Sequence, residues 1–121
     1  MKQLYSETPL SMRTTARDRR QSDERTAFEG LGSVVYFLLH FGHVKIGYSE
    51  HLRNRLIDLG CVPSDVLYVL AGGRKLEQQM HQRFAHQRAQ GPGLGVEHFE
   101  YGGDLLDYMN DQLQEIGLPA L

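Results

Sequence analysis

Two short runs of β-branched and aromatic residues, joined by a tight connection, dominate the middle of the chain. The first run spans Val34 to Leu39, the second spans Val44 to Tyr48, and Gly42 lies between them. A connection of about four residues that contains glycine is typical of an antiparallel hairpin. Because both alternating faces of the first run are apolar, we expect that strand to be central and covered on both sides. The hairpin therefore restricts the chain to folds built on an antiparallel sheet.

Polar groups interrupt this apolar hairpin at a few positions. Tyr36 lies in the first strand, Lys45 and Gly47 lie in the second, and two arginines follow directly after it. A glycine inside a strand often marks a place where a ligand or another backbone segment comes close. On the helix expected after the hairpin, Arg55 flanks the inward-facing leucine stripe, whereas Arg53 points more outward. Arg55 is therefore better placed to reach a site at the edge of the sheet.

The rest of the chain predicts one more strand and further helices. Residues 65–70 form an apolar run between Pro63 and a glycine pair, as expected of a third strand. Helices are predicted over residues 50–59 with Ser49 as the N-cap, over residues 74–90, and after Asp104, which is the predicted N-cap of a last helix with an apolar stripe facing inward. The predicted fold class is α+β, a three-stranded antiparallel sheet flanked by helices.

Residues 1–30 differ in composition from the segment that follows. They are rich in Thr, Ser and Arg, show neither helical nor strand periodicity, and predict a flexible N-terminal arm, leaving residues 31–121 as one domain. No apolar run approaches the roughly 18 residues that span a bilayer, and the N-terminus lacks a signal-like apolar stretch. With Cys61 as the single cysteine, no internal disulfide can form. We expect a soluble, cytoplasmic protein.

The net charge of −2 hides an uneven distribution. Residues 44–88 carry seven basic and four acidic side chains, whereas residues 89–121 carry six acidic side chains and no lysine or arginine. A phosphate-bearing partner is therefore expected over the central segment. The alternative is two ordinary solvated helix faces of opposite sign.

Four short motifs, in this order, resemble the GIY-YIG nuclease superfamily. Val34-Val35-Tyr36 stands at the first motif and Lys45-Ile46-Gly47 at the second, and they are followed by Glu77-Gln78-Gln79-Met80-His81 and Glu97-His98-Phe99. The resemblance is closest to the phage-type branch, in which lysine begins the second motif. It implies a metal-dependent endonuclease that hydrolyses DNA phosphodiester bonds, in the cytoplasm of a bacterial or phage-infected cell.

The resemblance also implies roles for individual residues. Tyr36 would position or deprotonate the attacking water, Arg55 would stabilise the transition state, and Glu77 would bind Mg²⁺ or Mn²⁺. An arginine bridges two phosphate oxygens in a way that lysine does not. The alternatives are a core tyrosine with a satisfied hydroxyl, an ordinary helix arginine and a surface acid paired with a nearby base.

Lys45 departs from the tyrosine that many superfamily members carry at the start of the second motif. It is a candidate catalytic residue if a cation lowers its pKa, and otherwise a phosphate contact. His81 is a candidate for orienting water or moving a proton, with a helix-core or surface histidine as the alternative. Glu97 either supports the site or pairs with Arg88. The predicted substrate-binding residues are Gly47, Tyr48, Arg53 and Arg88.

Two other classes of function stay open on the sequence alone. The first is a catalytically inactive module of the same fold that binds nucleic acid or takes part in an assembly. The second is an interaction protein that uses the acidic C-terminal helix. The sequence contains no separate DNA-reading motif, so neither the target nor the oligomeric state follows from it.

Overall fold

The described part of the chain forms a four-stranded antiparallel sheet with helices on both faces. The computed structural model describes Phe28 and residues 30–121. The element order is β1 (Val34–His40), β2 (His43–Ser49), α1 (Leu52–Leu59), a 3-10 turn (Pro63–Asp65), β3 (Val66–Ala71), α2 (Arg74–Arg83), a 3-10 turn (Ala85–Gln87), β4 (His98–Phe99) and α3 (Gly103–Glu115). The strands are ordered β3-β1-β2-β4. The α+β class is confirmed, while the sheet has four strands rather than the expected three. The predicted arm over residues 1–30 falls almost entirely outside the described residues.

The hairpin is the centre of the sheet. In β1 and β2, Tyr36 lies opposite Gly47, Leu38 opposite Lys45, and His40 opposite His43, which leaves a two-residue connection. Both connecting residues, Phe41 and Gly42, have positive φ values of 55° and 74°. Positive φ at both positions is what a type I′ turn requires, and that turn matches the natural twist of paired strands.

Both faces of β1 are buried, as the sequence predicted. Val34, Tyr36 and Leu38 point toward α1 and pack with its buried leucines. Val35 and Phe37 point to the opposite face, where they join the larger cluster formed by α2, α3 and β4. Each fully buried apolar side chain of this size stabilises the fold by about 1.5–3 kcal/mol. We call these two sides the α1 face and the α2–α3 face.

The fourth strand, β4, follows the glycine-rich loop over residues 91–95. His98 pairs with Lys45 and Phe99 pairs with Val44, so β4 lies along the outer edge of β2. Arg88 forms an isolated bridge to Phe99 from the other side. The backbone of residues 85–89 must leave the helical path to make these pairings, which is why α2 ends at Arg83 rather than near residue 90.

Two helix starts differ from the sequence prediction. Ser49 does not cap α1 directly: its Oγ accepts a hydrogen bond from the backbone N–H of His51 at 2.9 Å, and α1 begins at Leu52. At α3, Asp104 lies inside the first turn, after the N-cap residue Gly102. The Gln87 side-chain oxygen instead accepts the N–H of Leu105 at 2.9 Å, so a distant residue takes the capping role.

Within the described residues, no helix is both long enough and apolar enough to cross a membrane.

Candidate active site

A pocket of about 500 Å³ opens where the end of β2 meets α1 and the start of α2. Its walls come from three elements and from the segment before β4, so residues distant in sequence share one space. The side chains that line the pocket include both acidic and basic groups. The lining residues are Tyr48, Ser49, Glu50, His51, Asn54, Arg55, Asp58, Arg74, Glu77 and Glu97.

Tyr36 lies next to this pocket, on β1, directly opposite Gly47 of the neighbouring strand β2. A Cβ atom added to Gly47 would lie 2.4 Å from the Tyr36 hydroxyl oxygen and 2.5 Å from the ring carbon that bears it. No side chain fits there, because real Cβ atoms do not approach other atoms so closely. Gly47 is therefore the reason that the Tyr36 phenol can lie so close to β2.

The Tyr36 hydroxyl is in an unusual environment. The residue has no exposed surface, and no group in the described part of the chain makes a hydrogen bond of good geometry to its oxygen. Burial raises the pKa of Tyr36, and the nearby Arg55 guanidinium opposes that rise. The carboxylates of Glu97 and Glu77 add smaller increases to the pKa of Tyr36. The phenol is therefore within electrostatic reach of three charged groups that line the pocket.

Arg55 reaches the pocket because of its position on α1. Leu52 and Leu56 are buried on the α1 face, and Arg55 precedes Leu56, so its side chain emerges at the edge of the helix. Arg55 lines the pocket, whereas Arg53, the other predicted phosphate contact on this helix, does not. The expectation that Arg53 points more outward was wrong, because Arg53 is partly buried while Arg55 is exposed on the pocket wall.

Glu77 lies in the first turn of α2, and its backbone N–H donates to Gly73 O at 3.0 Å. Its half-buried carboxylate lines the pocket, and among the residues placed by the structure no cation forms an ion pair with it. The described residues contain no group of three or more side chains arranged to hold a metal ion. One open carboxylate fits an Mg²⁺ ion that takes its remaining ligands from water and substrate phosphates.

Lys45 and Glu97 form an ion pair beside the pocket. The Lys45 ammonium donates to a Glu97 carboxylate oxygen, and the Lys45 residue is 8% exposed. The backbone holds Glu97 in place, since its carbonyl accepts the Ile46 N–H at 2.9 Å. Arg88, the other expected partner of Glu97, donates from Nε to Val96 O at 2.9 Å instead. Of the two sequence alternatives for Glu97, the structure thus favours support of the site.

We expect Glu97→Gln to destabilise the protein by about 2 kcal/mol, measured by urea unfolding. Removing one partner of a buried pair leaves the other charge uncompensated, and the cost is reduced here because the Glu97 side chain is 39% exposed. Adding Lys45→Met to Glu97→Gln should recover most of the loss. If the double variant is less stable than Glu97→Gln, the ion pair does not account for the effect. Glu100→Gln, an exposed change of the same chemistry three residues away, is the control.

The other predicted residues lie outside the pocket, with one exception. His81 donates from Nε2 to the Ile46 carbonyl at 2.8 Å, at the edge of β2. This hydrogen bond holds α2 against the sheet. Arg88 lies over the Phe99 ring. Tyr48 does line the pocket, where its hydroxyl donates to Glu50 at 2.8 Å and Arg74 lies over its ring.

Sequence reasoning did not assign a site role to several lining residues. Arg74 and His51 are two of them. The basic residue at the first position of α2 was a detectable signal, because it follows the glycine pair directly. The convergence of Glu97 and Glu77 depends on how β4 pairs, and no local pattern encodes that.

Comparison with known proteins gives one finding. None of the curated proteins and none of the solved structures that were compared matches the chain. A protein-family model, described as the T5orf172 domain, matches residues 33–116. The match begins just before β1 and ends just after α3, so it contains the whole sheet and all the residues that line the pocket. Since it covers more than half of the chain, the protein belongs to the T5orf172 domain family.

Proposed function

We propose that this protein is a metal-dependent endonuclease of the GIY-YIG type that hydrolyses DNA phosphodiester bonds. The observation that carries the proposal is that Arg55 and Glu77 line one pocket from two helices, with the buried Tyr36 phenol of β1 within electrostatic reach of both. The T5orf172 family is linked to endonuclease-like domains, which agrees with this chemistry. The excess of basic side chains in residues 44–88 agrees with a polyanionic substrate.

Arg55 has the clearest role in this mechanism. Phosphodiester hydrolysis adds a water oxygen to phosphorus and releases an alcohol oxygen, so negative charge builds up on the phosphoryl oxygens. The planar Arg55 guanidinium donates two parallel hydrogen bonds to those oxygens. Its exposure on the pocket wall leaves it free to turn toward a bound strand.

Tyr36 orients the attacking water once Arg55 turns toward the phosphate, because the phenol has no exposed surface in the free protein. Because burial raises its pKa, the phenol is protonated at neutral pH and its oxygen offers a lone pair to a water proton. To act as a base, Tyr36 must first lose its own proton to solvent, which the Arg55 charge favours, and the phenolate then takes a proton from the water as that water attacks phosphorus. Lys45 forms an ion pair with Glu97. In this proposal Lys45 therefore holds that carboxylate in place, and Tyr36 acts as the base.

Glu77 would hold the divalent cation, Mg²⁺ or Mn²⁺, at the opening of the pocket. When bound there, the cation would act as a Lewis acid toward the phosphate and its departing oxygen. The Glu77 carboxylate contributes one oxygen ligand, and its position in the first turn of a helix fixes its direction.

The proposal is tested by nicking of supercoiled plasmid. We expect wild-type protein to produce open circles in Mg²⁺ or Mn²⁺ and none in EDTA, and we expect Glu77→Gln to reduce the rate at least about 100-fold because the cation ligand is lost. Glu115→Gln, an acid on α3 far along the chain, is the charge-matched control and should nick normally. Equal nicking by Glu77→Gln and wild type would contradict the proposal.

A non-catalytic DNA-binding module is the second candidate. The observation in its favour is that Lys45 stands where many members of the GIY-YIG superfamily have a tyrosine, and that Lys45 forms an ion pair with Glu97. A folded wild type that binds DNA with a strong salt dependence, and does not nick it with either cation, would support this alternative.

A further inference from the structure

Phe41, at the tip of the β1-β2 hairpin, stands out in two respects. It is a large apolar residue with 69% of its surface exposed, and its φ of 55° lies in the left-handed region. That region is sterically unfavourable for bulky residues, and asparagine or glycine fits this turn position better. The chain thus keeps an aromatic ring in solvent at a cost in backbone strain.

Two histidine rings lie close to Phe41 and form one cluster of rings with it. The ring centroids of His40 and Phe41 are 4.0 Å apart, those of His40 and His98 are 5.2 Å apart, and those of Phe41 and His98 are 6.2 Å apart. A hydrogen bond of 3.0 Å between His40 Nδ1 and His98 Nε2 fixes the two imidazoles relative to one another. We call His40, Phe41 and His98 the aromatic tip.

The two imidazoles are uncharged at neutral pH. Burial lowers the pKa of His40 and of His98, and the positive charge of Lys45 lowers both further. The aromatic tip is thus a set of neutral rings held by a hydrogen bond, with the Phe41 ring as its exposed end.

The aromatic tip is on the same side of the sheet as the candidate active site. His40 and Tyr36 are four residues apart on β1 and therefore point to the same face, and His98 pairs directly with Lys45. Tyr48, which lines the pocket, pairs with Val35, five residues from His40 along β1, a span of about 17 Å. Stacked nucleotides rise about 3.4 Å each along one strand, so a strand whose phosphate lies at the pocket reaches the tip within about five nucleotides.

We propose that the aromatic tip stacks an unpaired base of the DNA that occupies the pocket, so that the substrate class is DNA with a single-stranded segment near the scissile bond. This inference rests on the proposed function. A neutral aromatic face accepts any base, because every base has a π face of its own. A paired base inside an intact duplex does not offer that face, and this is why the tip selects unpaired DNA.

The test uses the whole chain without divalent cation and a single-stranded oligonucleotide containing 2-aminopurine, with the matching duplex as comparison. Wild-type protein should quench the 2-aminopurine fluorescence on binding the single strand. Phe41→Asn should abolish the quenching and weaken single-strand binding about 5- to 100-fold, the effect of losing one stacked base. Phe41→Trp should retain both, and duplex affinity should change less than about 2-fold in each variant.

Folding does not confound this comparison. Asn-Gly is the preferred pair for a type I′ turn, so Phe41→Asn should unfold at the same or a higher urea concentration than wild type. Ile57→Gln removes an equally exposed apolar side chain from α1 and should leave quenching intact. The inference is overturned if Phe41→Asn binds the single strand as wild type does, if wild type fails to bind it, or if duplex binding weakens equally. Plasmid nicking by Phe41→Asn would leave the proposed function standing even then.

Discussion

Arg55→Ala is expected to lower the single-turnover rate of DNA cleavage by about 10³-fold or more, with DNA affinity reduced by less than about 10-fold. An arginine that neutralises developing charge on a transferring phosphoryl group contributes 10³ to 10⁵ in rate in other phosphoryl-transfer enzymes, because the charge it meets is largest in the transition state. Arg55 lines the pocket and is exposed, so its removal should change the free energy of unfolding by less than about 0.5 kcal/mol.

Two further arginine variants make this result specific. Arg83→Ala removes the same charge from α2, where the guanidinium lies 4.5 Å from the centre of the Tyr108 ring, and it should cleave at nearly the wild-type rate. Arg55→Lys should recover little activity, because an ammonium does not reproduce paired guanidinium bonds. If Arg55→Lys and Arg83→Ala behave alike, Arg55 acts only through its charge at a distance.

Gly47→Ala is expected to destabilise the protein by about 3 kcal/mol and to abolish cleavage. The new Cβ would lie 2.4 Å from the Tyr36 hydroxyl oxygen, and the phenol is fully buried, so either the ring or β2 must shift. The stability change is measured by urea unfolding, and the position of the ring by the near-ultraviolet circular dichroism of the tyrosines.

The origin of this effect is checked by a second site and a second background. Gly95→Ala adds the same methyl group where no atom lies within 4 Å, and it should be tolerated. In a Tyr36→Val background, Gly47→Ala should cost less than about 1 kcal/mol, since the clashing ring is gone. An equal cost in both backgrounds would show that the glycine is needed for another reason.

The local elements of this fold were predictable because their signals lie within a few residues of each other. The hairpin followed from two β-branched runs around Gly42, and α3 from an apolar stripe at helical spacing that is buried at Leu105, Met109 and Leu113. Both patterns depend only on the periods of strand and helix.

The elements that were mispredicted depend on contacts between distant residues. β4 is two residues long and exists because His98 and Phe99 meet the edge of β2, 53 and 55 positions earlier in the chain. The same pairing bends residues 85–89 away from the helical path and shortens α2. A capping residue for α3 was expected locally, yet Gln87 supplies it from 18 positions away.

In the candidate site, too, single residues were predictable from the sequence, whereas contacts between distant residues were not. Tyr36, Arg55 and Glu77 were placed by motif order, and the structure brings all three to one pocket region. The Lys45–Glu97 ion pair joins residues 52 positions apart and could not be distinguished from a Glu97–Arg88 pair on sequence grounds. Likewise, helical spacing put His81 beside Glu77, but only the sheet edge shows that its Nε2 binds the Ile46 carbonyl.

The central claim is that a phenol and a guanidinium next to one carboxylate act as a unit on a single phosphodiester. It is tested most directly by the single-turnover cleavage rates of wild type, Tyr36→Phe, Arg55→Ala and the double variant in Mg²⁺. We predict that each single change lowers the rate at least about 100-fold and that the double variant is hardly slower than the slower single one, as for groups that serve one transition state. Cleavage by Tyr36→Phe at the wild-type rate, or no cleavage by a folded wild type that binds DNA, would contradict the account.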